Sequence, residues 1–139
     1  MIDTCETAIV FLRQSGKIIT EARRKIIKIL FDDLKPHTPS EILTMLLKKG
    51  LHVDKTTVYR ELEFLIKMEV VREVIFLDGL ARYEINSVNC HHHVTCSICG
   101  RVEDVKIEEK KLIESIEKQS NFTVDRHSIE FSGLCASCS

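Results

Sequence analysis

Glycine and proline are scarce in this chain, five and two among 139 residues, so collagen-like, linker-rich and disordered readings fall away. No apolar run approaches the roughly 20 residues that a membrane span needs. The start, MIDTCETAIV, carries acids and lacks a basic segment ahead of a long apolar block, so no signal peptide is visible. The cytoplasm is therefore the expected location. Net charge is nearly absent as well. Twenty Lys and Arg against 21 Asp and Glu leave −1, which excludes a uniformly basic nucleic-acid coat. Charge can still be local. Within 17–28, Lys17, Arg23, Arg24, Lys25 and Lys28 stand against one acid, Glu21. Such a cluster is either a solvated helix face or a phosphate-binding one. What the chain has in excess is cysteine, six in all. Without a secretory signal that count points to metal or redox use more than to disulfides.

At this length the chain suits one ordinary domain or two very small ones. Residues 1–86 read as mostly helical. A first helix covers about 4–15 and ends at Ser15-Gly16; a second runs about 20–34, with Ile26, Ile27, Leu30, Phe31 and Leu34 at helical spacing. Thr38, Pro39 and Glu41 spell a capping box with proline at the first helical position, and Gly50 stops the helix that follows. Asp54 caps a fourth helix over about 55–68. Its apolar stripe is Val58, Leu62 and Leu65, while Thr56, Arg60, Glu63 and Lys67 point the other way. The runs VVREVIFL and LARYEI, joined at Asp78-Gly79, read as a hairpin. Helices followed by a hairpin make a helix-turn-helix with a wing.

Residues 87–139 read differently. HHHVTC and RVEDVKI are short strands, 108–119 is a helix with Leu112, Ile113 and Ile116 inward, and 122–132 is a strand. The expected fold class is α+β, with a winged helix-turn-helix domain over 1–86 and a small α/β domain over 87–139. About 50 residues bury only a small core, so metal and pairing with another chain are the expected supports.

Cys96-Ser-Ile-Cys99 and Cys135-Ala-Ser-Cys138 are two C-x-x-C knuckles. A two-residue gap lets both thiolates face one ion, and two knuckles complete the tetrahedral four-sulfur shell of structural zinc. A thioredoxin-type reading needs a helix after the knuckle, and little chain follows Cys138. A zinc deaminase needs a glutamate-bearing triplet ahead of its knuckle, and His91-His92-His93-Val94-Thr95 carries none.

Those three adjacent histidines form a second candidate. On a strand, His91 and His93 share a face and His92 takes the other. His37, Glu84 and Asp104 are the other candidate ligands. Imidazoles with carboxylates make a borderline-to-hard shell that suits Fe(II), Mn(II) or Zn(II). Ligands drawn from both halves would let metal fix the angle between them, which is what a switch requires.

Thr20–Arg23, Thr56-Thr57-Val58-Tyr59-Arg60-Glu61-Leu62, Arg82-Tyr83-Glu84, His91-His92-His93 through Cys96-x-x-Cys99-Gly100, and Gly133-x-Cys135-x-x-Cys138 follow one another along the chain. In that order they resemble the ferric uptake regulator (Fur) family over nearly the whole sequence. The resemblance implies a homodimeric, metal-dependent repressor with a winged-helix domain and a dimerisation domain. It implies that the knuckle cysteines hold structural zinc, and that His37, Glu84, His91, His93 and Asp104 hold the regulatory metal. A further family site matches Cys90, His92, Lys111 and His127, where lysine is no ordinary ligand. Aspartate at 104 leans toward the peroxide-sensing branch rather than the iron-sensing one. Cys90 leaves zinc sensing open.

The resemblance also puts Tyr59 and Arg60 on the recognition helix and Lys17 near the minor groove of double-stranded operator DNA. Arg60 suits guanine, since its fork matches O6 and N7. Thr56, Thr57 and Tyr59 suit thymine methyls, sugars or phosphates, although Tyr59 could equally pack beside Val58 and Leu62. Lys17, Arg23 and Arg24 are expected on phosphates, and a two-fold dimer implies an inverted-repeat operator. Two contrasting readings remain. One is a zinc-dependent hydrolytic enzyme built on the histidines; the other is a metal-free winged-helix module whose zinc only staples a dimer.

Overall fold

The computed structural model describes residues 2–86, 92–125, 127 and 129–139. The chain divides into two compact units, Met1–Val88 and Asn89–Ser139. Together they are an α+β protein, a winged helix-turn-helix followed by a small α/β unit.

The first unit holds α1 (Cys5–Gln14), α2 (Glu21–Asp33), α3 (Pro39–Lys48), α4 (Lys55–Lys67), β1 (Val71–Ile75) and β2 (Ala81–Ile85). Each helix starts at a side chain that accepts an otherwise unused backbone N–H. Thr4, Thr20, Thr38 and Asp54 accept from the residue three positions on. At Thr38 the box is reciprocal: Glu41 reaches back to the Thr38 N–H, and Pro39 fills the first helical position. The helices meet over Ile26, Ile27, Leu30, Ile42, Leu46, Val58, Leu62 and Leu65, all at most 1% exposed. Spacings of three and four residues put them on one face of each helix.

β1 and β2 pair antiparallel, with Ile75 opposite Ala81 and Arg72 opposite Glu84. The connection is therefore the five residues 76–80 rather than a two-residue Asp78-Gly79 turn. Gly79 has φ +79°, and its N–H donates to the Phe76 carbonyl at 2.8 Å. Arg82 holds Asp78 through two hydrogen bonds of 3.0 and 2.7 Å and lies over the Phe76 ring.

In the second unit β3 (His92–Cys96) is central, flanked by antiparallel β4 (Val102–Val105) and parallel β5 (Phe131–Gly133). α5 (Glu109–Gln119) lies between β4 and β5 in the chain. Two expectations need correction. The last strand covers only 131–133, not 122–132. Near its expected start, the Val124 N–H donates to Glu117 Oε1 at 2.8 Å instead of to a ladder. And α5 buries no residue: Leu112 and Ile116 are 41% and 45% exposed. A three-stranded sheet of this size offers no second layer deep enough to cover them.

Leu62→Ala probes this core. It should lower the urea midpoint by the equivalent of roughly 2–5 kcal/mol with little change in slope, since the neighbours of a fully packed leucine collapse only partly.

Candidate metal centres and nucleic-acid interface

The thiolate site is built by the second unit's ladder. β3 ends at Cys96, and a turn closed by the Gly100 N–H on the Cys96 carbonyl presents Cys99. Gly100 sits at φ +75°, where a side chain would be strained. Parallel pairing of Cys96 with Gly133 delivers Cys135 beside the first knuckle, and the turn Cys135–Cys138 returns the last sulfur. All four Sγ atoms lie within 4.8 Å of one another, with Cys99 and Cys135 at 3.7 Å. Tetrahedral zinc with bonds of about 2.3 Å spaces its sulfurs by about 3.8 Å. The residues therefore fit the ion, and their spacing is far too long for disulfides. The electrostatics agree. N–H groups of Cys135, Cys99 and Ile98 pull the Cys96 thiol down to about 6, whereas the neighbouring sulfurs, Cys135 first, push Cys138 up to about 12. Four crowded thiolates repel one another, and a dication removes that repulsion.

The histidine and carboxylate residues fall into pairs. In the first unit a β-bridge joins His37 to Tyr83, with the two backbones exchanging hydrogen bonds of 3.0 and 2.8 Å. This sets Glu84, the next residue of β2, close to His37 along the backbone. His37 Nε2 contacts Asp33 Oδ2 at 2.7 Å and its Nδ1 contacts Glu41 Oε2 at 3.3 Å. Glu84 is 1% exposed and accepts from Arg72. In the second unit His93 and Asp104 are cross-strand partners, with Nε2 and Oδ1 3.4 Å apart. His91 and Cys90 lie outside the described residues.

A third group was only partly legible. His92 contacts one oxygen of Glu109, and His127 Nε2 lies 3.2 Å from the other. The carboxylate thus comes from Glu109, in the first turn of α5. Lys111, the residue matched by position, instead pairs with Glu108 at the surface. The sequence signal was present in Glu108-Glu109 at the start of the helix, two positions before Lys111.

On the nucleic-acid side, α4 carries Thr56, Tyr59 and Arg60 on its exposed face. Tyr59 is 41% exposed, which removes its core alternative. Thr57 is committed elsewhere: its N–H and hydroxyl both donate to Asp54, at 2.8 and 2.6 Å. Lys17 and Arg24 are exposed. Arg23 is not available in the same way. Its Nε and Nη2 hold both oxygens of Glu61, at 2.7 and 3.2 Å. Its Nη1 donates to the Ile18 carbonyl at 2.6 Å, and its guanidinium lies 3.6 Å from the centre of the Phe64 ring. It therefore ties α2 to α4.

The model of the ferric uptake regulator family matches residues 14–132. The chain belongs to that family. The ferric uptake regulation protein of Bacillus subtilis is 30% identical over 132 residues, covering 91% of this chain and 89% of its own length. The peroxide-responsive repressor PerR of Staphylococcus aureus is 29% identical, covering 96% and 90%. The solved ferric uptake regulator of Vibrio cholerae superposes with TM-score 0.75 at 25% identity, over 89% of this chain and 96% of that one. Fur-family proteins are transcription regulators and not enzymes, so the hydrolytic reading is discarded.

If the four sulfurs are one zinc site, Cys135→Ser should lose one zinc per chain by native mass spectrometry. The second unit should then melt well below the wild type, since structural zinc contributes folding free energy directly.

Proposed function

We propose that this Fur-family protein is a cytoplasmic, metal-dependent repressor. It binds an inverted-repeat operator as a homodimer when His37, Glu84, His91, His93 and Asp104 hold a divalent ion. The observation that carries the reading is the cross-strand pairing of His93 with Asp104, with the His37–Tyr83 bridge bringing the His37 backbone to the strand that carries Glu84. Imidazole and carboxylate donors favour Fe(II) or Mn(II), with Zn(II) sensing as the alternative. A divalent ion, when bound, would supply the positive charge that imidazole and carboxylate donors coordinate. The protein's own share is to present them. The strand bridge fixes His37 and Glu84, and the β3–β4 ladder fixes His93 and Asp104.

Dimerisation is supported by α5. Leu112 and Ile116 stay exposed on it, with Phe122, Phe131 and Leu134 exposed elsewhere in the same unit. Apolar groups in that number mark a surface meant for covering. For DNA, Arg60 and Tyr59 read bases from α4, and Thr56, Lys17 and Arg24 take sugars and phosphates. Arg23 contributes by holding α4 rather than by reaching the backbone of the duplex. Aspartate at 104 supports the peroxide-responsive branch.

Two measurements test this. Operator binding titrated with Fe(II), Mn(II) and Zn(II), with and without peroxide, should show metal dependence that His93→Ala abolishes. Binding by that variant without metal, at wild-type affinity, would leave zinc as a staple only. Second, Arg24→Ala should reduce the slope of log affinity against log salt by about 1, as loss of a phosphate contact does. Arg23→Ala should weaken binding with its slope unchanged.

A further inference from the structure

We infer that Arg72 is a competitor built into the regulatory ligand set: its guanidinium occupies the Glu84 carboxylate and so lowers the protein's affinity for its divalent ion. This rests on Glu84 being a ligand, as proposed above. The two residues are directly opposed on β1 and β2. Arg72 Nε and Nη2 both reach Glu84 Oε1, at 2.7 and 2.6 Å. Glu84 is 1% exposed, and a carboxylate taken that far from water needs a countercharge. Arg72 provides one.

A divalent ion at Glu84 meets that cation in one of two ways. It displaces the guanidinium, and the ion pair is lost. Arg72, whose side chain is 34% exposed, then has a route back to water. Otherwise the guanidinium stays, and two cations share one carboxylate in a partly desolvated place, where their repulsion is weakly screened. Both outcomes reduce net affinity. The usual outer partner of a metal ligand acts in the opposite direction. A carboxylate or carbonyl behind a ligating histidine makes the ligand more basic and tightens binding. Arg72 draws charge off the ligand oxygen. The same reasoning gives the pair a regulatory use: a weakened site stays empty until the ion is abundant enough to matter.

The test is Mn(II) titrated into the purified full-length chain with its cysteine site zinc-loaded, free Mn(II) being read by electron paramagnetic resonance. Mn(II) is the weakest binder of the divalent series and leaves the thiolate site alone. Arg72→Gln should bind Mn(II) roughly ten-fold more tightly, the size of effect that outer-shell partners have on metal affinity. Arg72→Lys, which keeps the charge, should stay near the wild type. Should Arg72→Gln be too unstable to titrate without metal, its melting temperature against Mn(II) concentration reads the same linkage, and the rise should exceed that of the wild type. Unchanged or weaker binding by Arg72→Gln overturns the inference, as does an equal rise in melting temperature. Glu84→Gln separates the two levels. If it binds Mn(II) like the wild type, Glu84 is no ligand and the underlying reading fails. If it loses Mn(II) while Arg72→Gln is unchanged, only the role of Arg72 fails.

Discussion

Four sulfurs crowded within 4.8 Å are the constraint on which the second unit depends. Among its described residues, Cys96 is the one buried apolar side chain, and its helix buries nothing. Hydrophobic burial therefore cannot carry this unit alone. Parallel pairing of a three-residue strand with β3 is a weak interaction by itself. The knuckle turns it into a closed loop, because Cys135 follows that strand by two residues and Cys96 ends its partner. Metal and ladder support each other: the register brings the sulfurs together, and the sulfurs hold the register. The remaining apolar surface is left for a second chain.

The first unit solves the opposite problem. It has an ordinary core and capped helices, so its stability needs no ion. This leaves its polar pairs free to serve geometry. Arg23 is the clearest case. Buried to 13% exposure, it grips Glu61 with both ends of its fork and covers Phe64, both on α4. An arginine there sets where α4 lies relative to α2, and that decides where Tyr59 and Arg60 point.

What the sequence disclosed was local chemistry. Thr38-Pro39-x-Glu41, Asp54 and the two knuckles each act over a few positions, so spacing alone reveals them. What it concealed depends on register or long range. Reading Asp78-Gly79 as a two-residue turn pairs 77 with 80 and so puts Arg72 opposite Ile85. The observed five-residue connection shifts the register by one, and Arg72 faces Glu84 instead. A slip of one turns every side chain to the other face of the strand. Arg23 and Glu61 are 38 positions apart, beyond any local rule. Glu109 was missed for a related reason, since the loop ahead of α5 carries no periodic signal to fix its length. The exposed face of α5 was visible as an apolar stripe, but a stripe does not say whether its own chain or another covers it.

The polar residues assigned to metal share one further property. His37 lies between Asp33 and Glu41, Glu84 is held by Arg72, His93 faces Asp104, and His92 and His127 share Glu109. Each has a partner of complementary charge or hydrogen-bonding character within the protein. Affinity for an ion is then a difference between two compensated states, not the sum of new bonds. A partner that becomes a ligand, as Asp104 would beside His93, carries over into the filled site. A partner that competes for the same group, as Asp33 would for His37 and Arg72 would for Glu84, subtracts from it. If these residues hold metal as proposed, the threshold is set as much by the residues that give way as by those that bind. Changes at Asp33 and Arg72 can retune it without altering a single ligand.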